Sequence, residues 1–358
     1  MADLPPILHI LPAEPFGGLQ VLVIELARAQ RAEGKVAKIV LLAPSERVEA
    51  RCRAAGIEPV VLTGPKLGRM VALARIVRQR EPAILHSHCE PIWATVPLAM
   101  RGAAWMVHQH VYASQKSIRD RAGNLIRRFF ARRFVGITHS VAQSFVEQGL
   151  VAAERTSVVH NGLDLATLPS PVAGRNIAPP FTVVFVGRAV REKGLFDFIE
   201  AADLLRDETG LRFVIAGEGA DLAEARAVIT ARGLDDRIAV LGFVHDTAAL
   251  WSEADMLLML STREPFGLVI LEAIASGVAV LGYDIPSGGS EVMSVIPGCR
   301  MVAAFSIANL ADAVREAAND PAALRSQVAT GRAIVASQFS LGRMEKNVAR
   351  EYERLAHP

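Results

Sequence analysis

The chain has 358 residues, 51% of them hydrophobic, and a formal net charge of +2. That length is roughly two to three times that of one domain, so two domains with sizeable cores are predicted, and the near-neutral balance leaves nucleic acid without an electrostatic footprint. Cys52, Cys89 and Cys299 are odd in number and far apart, which excludes a disulfide framework and a zinc cage and fits a reducing cytoplasm.

The start, MADLPPILHILPAEP, lacks a basic leader region and reads as a first strand rather than a signal peptide. Strand-like and helix-like runs then alternate: ILHILP, LQVLVIELARAQRAEG, KIVLLAP, RVEARCRAAG, EPVVL, LGRMVALARIVRQREP, AILHSHC, PIWATVPLAMRG and WMVHQHV. A long basic helix over 114–134 follows. Such alternation predicts a parallel sheet covered by helices on both faces. The proline-rich, aperiodic LPSPVAGRNIAPP, Leu168 to Pro180, is the expected interdomain linker.

A second alternating run starts there. FTVVFVG, RFVIAGEG, IAVLGF, DMLLMLS and VAVLGYD are five strand candidates separated by helices. The expected boundaries are 1–170 for the first domain and 171–339 for the second. The last segment, SLGRMEKNVAREYERLAHP, reads as a polar helix. Phe266 to Tyr283 is the most apolar window, but Glu272 and Gly277 break it, so no membrane span is expected. Doubly wound sheets bind ligands beyond the carboxyl ends of their strands, which makes an interdomain cleft the natural site.

Two acids stand in that window. In EPFGLVILE, Glu264 follows the strand DMLLMLS and precedes Pro265, which is favoured at the first helical position, so Glu264 is expected near a helix N-cap. Glu272 is expected two turns further on, among apolar neighbours. A helix cap and an arginine partner would explain the pair as well as a binding site would. In FVGRAVREKG, Arg188 and Lys193 flank a turn on the same edge of the sheet, a pairing that suits a diphosphate as it suits two solvated loop cations. A helix N-terminus beside Gly267 favours an anion there.

Together, in order, GRAVREKG, AGEG, LGFV and EPFGLVILEAIASG resemble the C-terminal domain of family 4 retaining glycosyltransferases with the GT-B fold. HNGLD at 160–164 is similar to the stretch before that family's linker, and EPFGGLQ at 14–20 to the glycine-rich first loop of its N-terminal domain. The resemblance implies two Rossmann-like domains facing a cleft, with the C-terminal helix packed back on the first. It further implies a nucleoside-diphosphate sugar as donor, no cofactor, and retention of anomeric configuration. Arg188 and Lys193 would hold the diphosphate and Glu272 the ribose hydroxyls. Glu264 would face the transferred sugar, with the backbone of Phe266, Gly267 and Leu268 completing the cradle. Gly217 and Gly219 of AGEG, and Gly17 and Gly18 of the first loop, would line the donor site; for Gly17 and Gly18 an ordinary tight turn is an equal reading.

Four histidines end two successive predicted strands, as HSH at 86–88 and HQH at 108–110, with alternate residues on one face. A metal pair and sheet-edge histidines satisfied by neighbours are both open readings. His110 resembles the family's active-site histidine and is the catalytic candidate, although the acid that often follows it is missing from QHVYAS. With no Asp-x-Asp triplet, no metal is expected, and fixed cations would supply its charge.

The segment 114–134 carries Lys116, Arg119, Arg121, Arg127, Arg128, Arg132 and Arg133 among Ile118, Leu125, Ile126, Phe129, Phe130 and Phe134. It would suit an anionic membrane surface and a lipid-linked or polysaccharide acceptor, or a core-packing helix with a solvated basic face. The expected location is the cytoplasm, peripheral on the inner membrane face. Rival readings are an epimerase or phosphorylase of the same fold, and a non-catalytic two-lobed sugar-binding protein.

Overall fold

The computed structural model describes residues 5–14, 16–79, 83–99, 104–115, 117–168, 180–244 and 247–356. The chain divides into two compact units, Met1–Gly162 with Ser340–Pro358, and Leu163–Phe339. The predicted linker lies, apart from its two ends, outside the described residues, as does Lys116.

The first unit is built on seven parallel strands: β1 (Ile7–Leu11), β2 (Ala37–Leu41), β3 (Val60–Val61), β4 (Ile84–His88), β5 (Ala104–Gln109), β6 (Arg133–Gly136) and β7 (Thr156–Val158). Their order is β3-β2-β1-β4-β5-β6-β7, so the winding reverses between β1 and β4. β1 and β4 are buried at every position, including His9, His86, Ser87 and His88. Helix Gly18–Ala32 follows β1 and presents Leu22 and Leu26 to a core of Ile7, Ile84, Met106, Val135 and Val159. The C-terminal helix Leu341–Ala356 completes that core with Met344, Val348, Tyr352 and Leu355. Its buried positions recur every three to four residues, and Glu345 and Glu351 bind Lys35 (2.6 Å) and Arg133 (2.7 Å) of the same unit.

The second unit holds six parallel strands: β8 (Phe181–Val186), β9 (Leu211–Ala216), β10 (Ile238–Gly242), β11 (Met256–Met259), β12 (Ala279–Asp284) and β13 (Cys299–Ala303). The order β10-β9-β8-β11-β12-β13 puts its reversal between β8 and β11. Both sheets therefore have a crevice beyond the carboxyl ends of the two strands at their reversal.

Several expectations are corrected. β6, β7 and β13 are strands the sequence pattern does not announce, because RFVG, TSV and CRMVA mix polar and apolar residues in short runs without a clear apolar stretch. The basic helix is shorter than 114–134: it spans Ile118–Phe130, opened by Ser117, whose hydroxyl accepts from Asp120 N–H. Phe134 belongs to β6 and is buried. Its polarity is also inverted relative to a core-packing helix. Ile118 is 83% exposed, Phe129 70%, Leu125 55% and Phe130 50%, whereas Arg127 is buried. Arg127 Nε donates to Glu90 Oε1 at 2.7 Å, and its other nitrogens reach Asn124 Oδ1 and the Glu90 carbonyl. A satisfied guanidinium on the inner face is stable because every charge there has a partner.

Candidate functional site

In the second unit the two loops at the sheet reversal carry most of the predicted donor residues. After β8 the chain passes Gly187 and the exposed Arg188, then turns through Arg191–Lys193. After β11 it passes Ser261 and reaches Glu264. Lys193 Nζ donates to Glu264 Oε2 at 2.6 Å, and Ser261 Oγ donates to the same oxygen at 3.3 Å. Glu264 is further fixed through its carbonyl, which accepts from Gly289 N–H at 2.9 Å. The Arg188 side chain makes no hydrogen bond or ion pair among the described residues, whereas Lys193 is paired with Glu264 and Arg191 with Glu224.

The helix expected to start at Pro265 starts at Leu268 and runs to Ala275. Glu264 is therefore not its N-cap, and Glu272 lies about one turn, not two, beyond the start. The reason is Gly267, which takes the cap position in the left-handed region at φ 83 and turns Pro265 and Phe266 out of helical register. A side chain there would be strained, and its Cβ would meet Ile270 Cδ1 at 2.7 Å. Phe266 is buried and touches Phe339 edge to face, so its backbone rather than its ring faces the loop. The N–H groups of Leu268 and Val269 lack helical acceptors, as at any helix start, whereas Ile270 N–H donates to the Gly267 carbonyl at 2.9 Å. Glu272 is partly exposed, its carboxylate makes no hydrogen bond among the described residues, and burial pushes that carboxyl above the ordinary carboxylate range. The arginine partner that an ordinary structural role would require is not found among the described residues.

Gly217 and Gly219 lie after β9. Gly217, at φ 152, donates to the Gly242 carbonyl at 2.7 Å, and a Cβ on it would collide with the Gly187 carbonyl. A Cβ on Gly219 would collide with the Ala189 carbonyl. These glycines let the loop after β9 lie backbone against backbone on the loop that carries Arg188.

In the first unit the loop after β1 carries Gly17 and Gly18. Gly17 is extended, and its N–H donates to the Gln20 side chain at 2.9 Å; Gly18 opens the first helix. Nothing lies within 4 Å of a Cβ at Gly17. Glu14 steadies the loop by accepting from Phe16 N–H and Ser45 Oγ. At the end of β4, Cys89 is a non-glycine residue at φ 52, a conformation that favours glycine, and its sulfur accepts from His110 N–H at 3.4 Å. Burial pushes the Cys52 and Cys89 thiols up to about 11 and Cys299 up to about 12, so all three are free thiols held protonated.

His110 follows β5 and is nearly buried. Its partner, left open by the missing acid, is another histidine: His110 Nε2 lies 3.2 Å from His88 Nδ1. His88 Nε2 is 3.0 Å from His9 Nδ1, and His9 Nε2 is 2.8 Å from Gln30 Oε1. A second arm joins Gln30 to Tyr352 OH (3.1 Å), Tyr352 OH to His86 Nδ1 (2.7 Å), and His86 Nε2 to His108 Nδ1 (3.2 Å). Strand register explains the assembly, since His9 pairs with His86 across β1 and β4, and His88 with His108 across β4 and β5. Burial lowers all five pKa values, to about 4 for His9, about 3 for His110 and well below the ordinary imidazole value for His86, His88 and His108. Two trios, His9-His86-His88 and His88-His108-His110, bring ring nitrogens within 4.8 Å of one another, and the first is invisible without His9. Most of the ring nitrogens are engaged with one another or with Gln30 and Tyr352. His9 was missed because ILHILP shows one histidine in an apolar run; Glu90, beside a proline after HSHC, gave no sign of its buried arginine.

Two units of parallel, doubly wound sheet with loops of this kind at their strand ends define the GT-B glycosyltransferase class. The family Glycosyltransferase Family 4 matches residues 16–167, and Glycosyl transferases group 1 matches residues 174–333. The chain belongs to the GT-B glycosyltransferases. Among solved structures it is similar to HepE of Anabaena, crystallised with UDP and glucose, with a TM-score of 0.85 at 21% identity over 98% of this chain and 100% of that one. A glycosyltransferase from Rickettsia africae aligns with a TM-score of 0.85 at 17% identity over 99% of both chains. In sequence it is 31% identical over 177 residues to the 2-deoxystreptamine glucosyltransferase of Streptomyces kanamyceticus, a match covering 48% of this chain and 45% of that protein. The chain thus spans about half the length of that relative. It is 27% identical to the D-inositol 3-phosphate glycosyltransferase of Arthrobacter, over 93% of this chain and 90% of that one. No helix among the described residues is long and apolar enough to cross a membrane.

Proposed function

We propose that the protein transfers a sugar from a nucleoside-diphosphate sugar to an acceptor hydroxyl, with retention at the anomeric carbon and without a divalent metal. The observation that carries this reading is the Lys193–Glu264 pair at the reversal of the second sheet, beside the unpaired Arg188 and the helix start at Gly267. Residues 171–339 would then bind the donor, and residues 1–170 with 340–358 the acceptor. Arg188 and Lys193 hold the diphosphate and neutralise charge on the leaving group as the C1–O(phosphate) bond breaks. The N–H groups of Gly267 and Leu268 face a donor oxygen, and the backbone of Phe266 sets their angle. Gly217 and Gly219 line the nucleotide end, and the backbone at Gly17 and Gly18 is offered as a further donor contact. Glu264 and Glu272, carboxylates with lone pairs to spare, accept from sugar and ribose hydroxyls respectively. The acceptor oxygen bonds to C1 on the face the diphosphate leaves, and a diphosphate oxygen takes its proton. His110 orients the donor. The crystallisation of HepE with UDP and glucose supports a uridine nucleotide as the first donor to try.

Transition midpoints in the presence of nucleoside diphosphates and their sugars test the reading. A ligand at a hundred times its dissociation constant stabilises by about 2.7 kcal/mol, and transfer in excess EDTA is expected at the full rate. Loss of transfer in EDTA, restored by Mg²⁺ or Mn²⁺, would refute the metal-free account. Tight binding of free sugar with no response to nucleotides would favour the non-catalytic alternative; a product with the sugar still on its nucleotide, or on free phosphate, would favour the epimerase or phosphorylase.

The second element of the proposal is an anionic membrane surface as partner, with a lipid-linked acceptor. Ile118, Leu125, Phe129 and Phe130 point outward from one helix that also carries Arg119, Arg121 and Arg128, the composition of a helix lying in a lipid interface. The protein is expected to sediment with anionic vesicles, and Phe129→Ser to weaken binding about tenfold, since burying such a ring contributes about 1.5–3 kcal/mol. Equal, negligible sedimentation with anionic and neutral vesicles would remove the membrane from the account.

A further inference from the structure

We propose that His9, His86, His88, His108 and His110 form, with Gln30 and Tyr352, one polarised hydrogen-bonded chain that fixes His110 as its Nε2–H tautomer, and that His88 and Gln30 are positioning residues. The functional side of this inference rests on the reading of His110 as a site residue; the order of protons does not.

A neutral imidazole has one N–H and one lone pair, so a ring bonded at both nitrogens must donate on one side and accept on the other. The direction of the whole chain is then set by any member whose ends differ. Gln30 is that member. Its amide oxygen faces His9 Nε2, so Nε2 carries the hydrogen and Nδ1 the lone pair. His88 Nε2 must donate to that lone pair, which leaves His88 Nδ1 as an acceptor, and His110 Nε2 must donate to it. On the other side the Gln30 amide nitrogen donates to Tyr352 OH, the hydroxyl donates to His86 Nδ1, and His86 Nε2 donates to His108 Nδ1. The hydrogen left over sits on His108 Nε2, which is buried without a well-formed hydrogen bond, although the Val159 backbone raises the His108 pKa in the manner of a nearby carbonyl.

Every one of the five rings is therefore an Nε2–H tautomer. Reversing one ring would require reversing all of them and turning the Gln30 amide over, so the order is collective. His110 Nδ1 has no partner among the described residues and carries a lone pair. At that atom His110 accepts a hydrogen bond from a hydroxyl of a bound sugar; it has no proton there to give. This assigns it the role of orienting the donor and excludes that of a general acid.

The test is the ring ¹H–¹⁵N correlation spectrum of the full-length protein labelled with ¹⁵N-histidine near pH 7.5, with individual rings identified by single substitutions. Five rings with the Nε2–H pattern are expected. A His110 ring in the Nδ1–H form, a mixture of forms among the five, or a spectrum changed by EDTA, which would reveal an ion between the rings, overturns the proposal. Gln30→Leu removes the acceptor two rings away from His110. It is expected to abolish the single tautomer at His110 and to lower kcat about tenfold with the donor KM unchanged, in line with losses on removing orienting partners. Gln30→Glu, which still accepts from His9, is expected to restore both. If Gln30→Leu fails to fold, the wild-type spectrum alone decides. A His110→Ala protein that transfers at the full rate would overturn the catalytic reading of His110, and the wild-type spectrum would then still judge the proton order separately.

Discussion

Acidification from pH 7 to pH 5 is expected to destabilise the N-terminal unit and lower its urea midpoint. Five buried histidines stay neutral in the folded state, whereas in the unfolded chain each titrates near 6.5. Between 6.5 and the folded values the unfolded state binds more protons than the folded state, so stability falls as pH falls. Above 6.5 neither state takes up these protons and nothing is lost. His9 and His110, with folded values of about 4 and about 3, each withdraw about 2 kcal/mol at pH 5. His86, His88 and His108 act in the same direction, because burial lowers them as well. The measurement is the urea midpoint against pH, read through a probe in that unit such as Trp105, which is fully buried in β5 and donates to Ser87 Oγ. A midpoint that is flat from pH 7 to pH 5 would mean that the rings are charged or hydrated in the folded protein, and the hydrogen-bonded chain would fall with it.

Arg188→Gln is expected to weaken nucleoside-diphosphate binding between about tenfold and a hundredfold while leaving the thermal transition where it is. The two halves of that statement have separate causes. Arg188 is exposed and has no partner among the described residues, so its removal breaks nothing in the folded protein, and surface changes of that kind usually stay within about 0.5 kcal/mol. Its proposed contact with a phosphate, by contrast, would be a charge-assisted hydrogen bond of about 1.5–3 kcal/mol. Lys193 behaves differently. Lys193→Met removes the partner of a carboxylate that is largely screened from water, so it is expected to weaken binding and lower the transition together. Calorimetric titration with UDP, run beside a melting curve for each variant, separates the cases. Unchanged affinity in the Arg188→Glu, Lys193→Glu double variant would remove the diphosphate from this loop altogether.

The fold was legible in the sequence wherever a strand was buried on both faces, because ILHIL and FTVVFV leave no second interpretation. It was illegible at RFVG and TSV, where a few residues complete a sheet edge and tertiary pairing, not propensity, decides. The start of the Leu268–Ala275 helix was misread for a different reason. Proline before phenylalanine is a sound start signal, but glycine at 267 can occupy a left-handed cap that proline cannot, and the cap won. Side-chain partnerships across strands were the least visible level. HSH and HQH announced a cluster, yet its size and direction depend on His9, Gln30 and Tyr352: His9 stands 79 residues from His88 and Tyr352 stands 266 from His86, and they meet once β1, β4 and the last helix pack. The basic helix shows the converse. Its composition was plain, but which face turned inward depended on Glu90, which the helix itself does not contain.

The return of the last helix to the first unit imposes an order on synthesis. Met344, Val348, Tyr352 and Leu355 fill a gap in a core whose other members, from Ile7 to Val159, leave the ribosome long before them. Residues 163–339 are contiguous and can collapse as soon as they emerge, so the part of the chain made first matures last. Until its closing segment arrives, the nascent N-terminal half carries an apolar seam in need of shelter, and shortening the chain from its far end would injure the beginning.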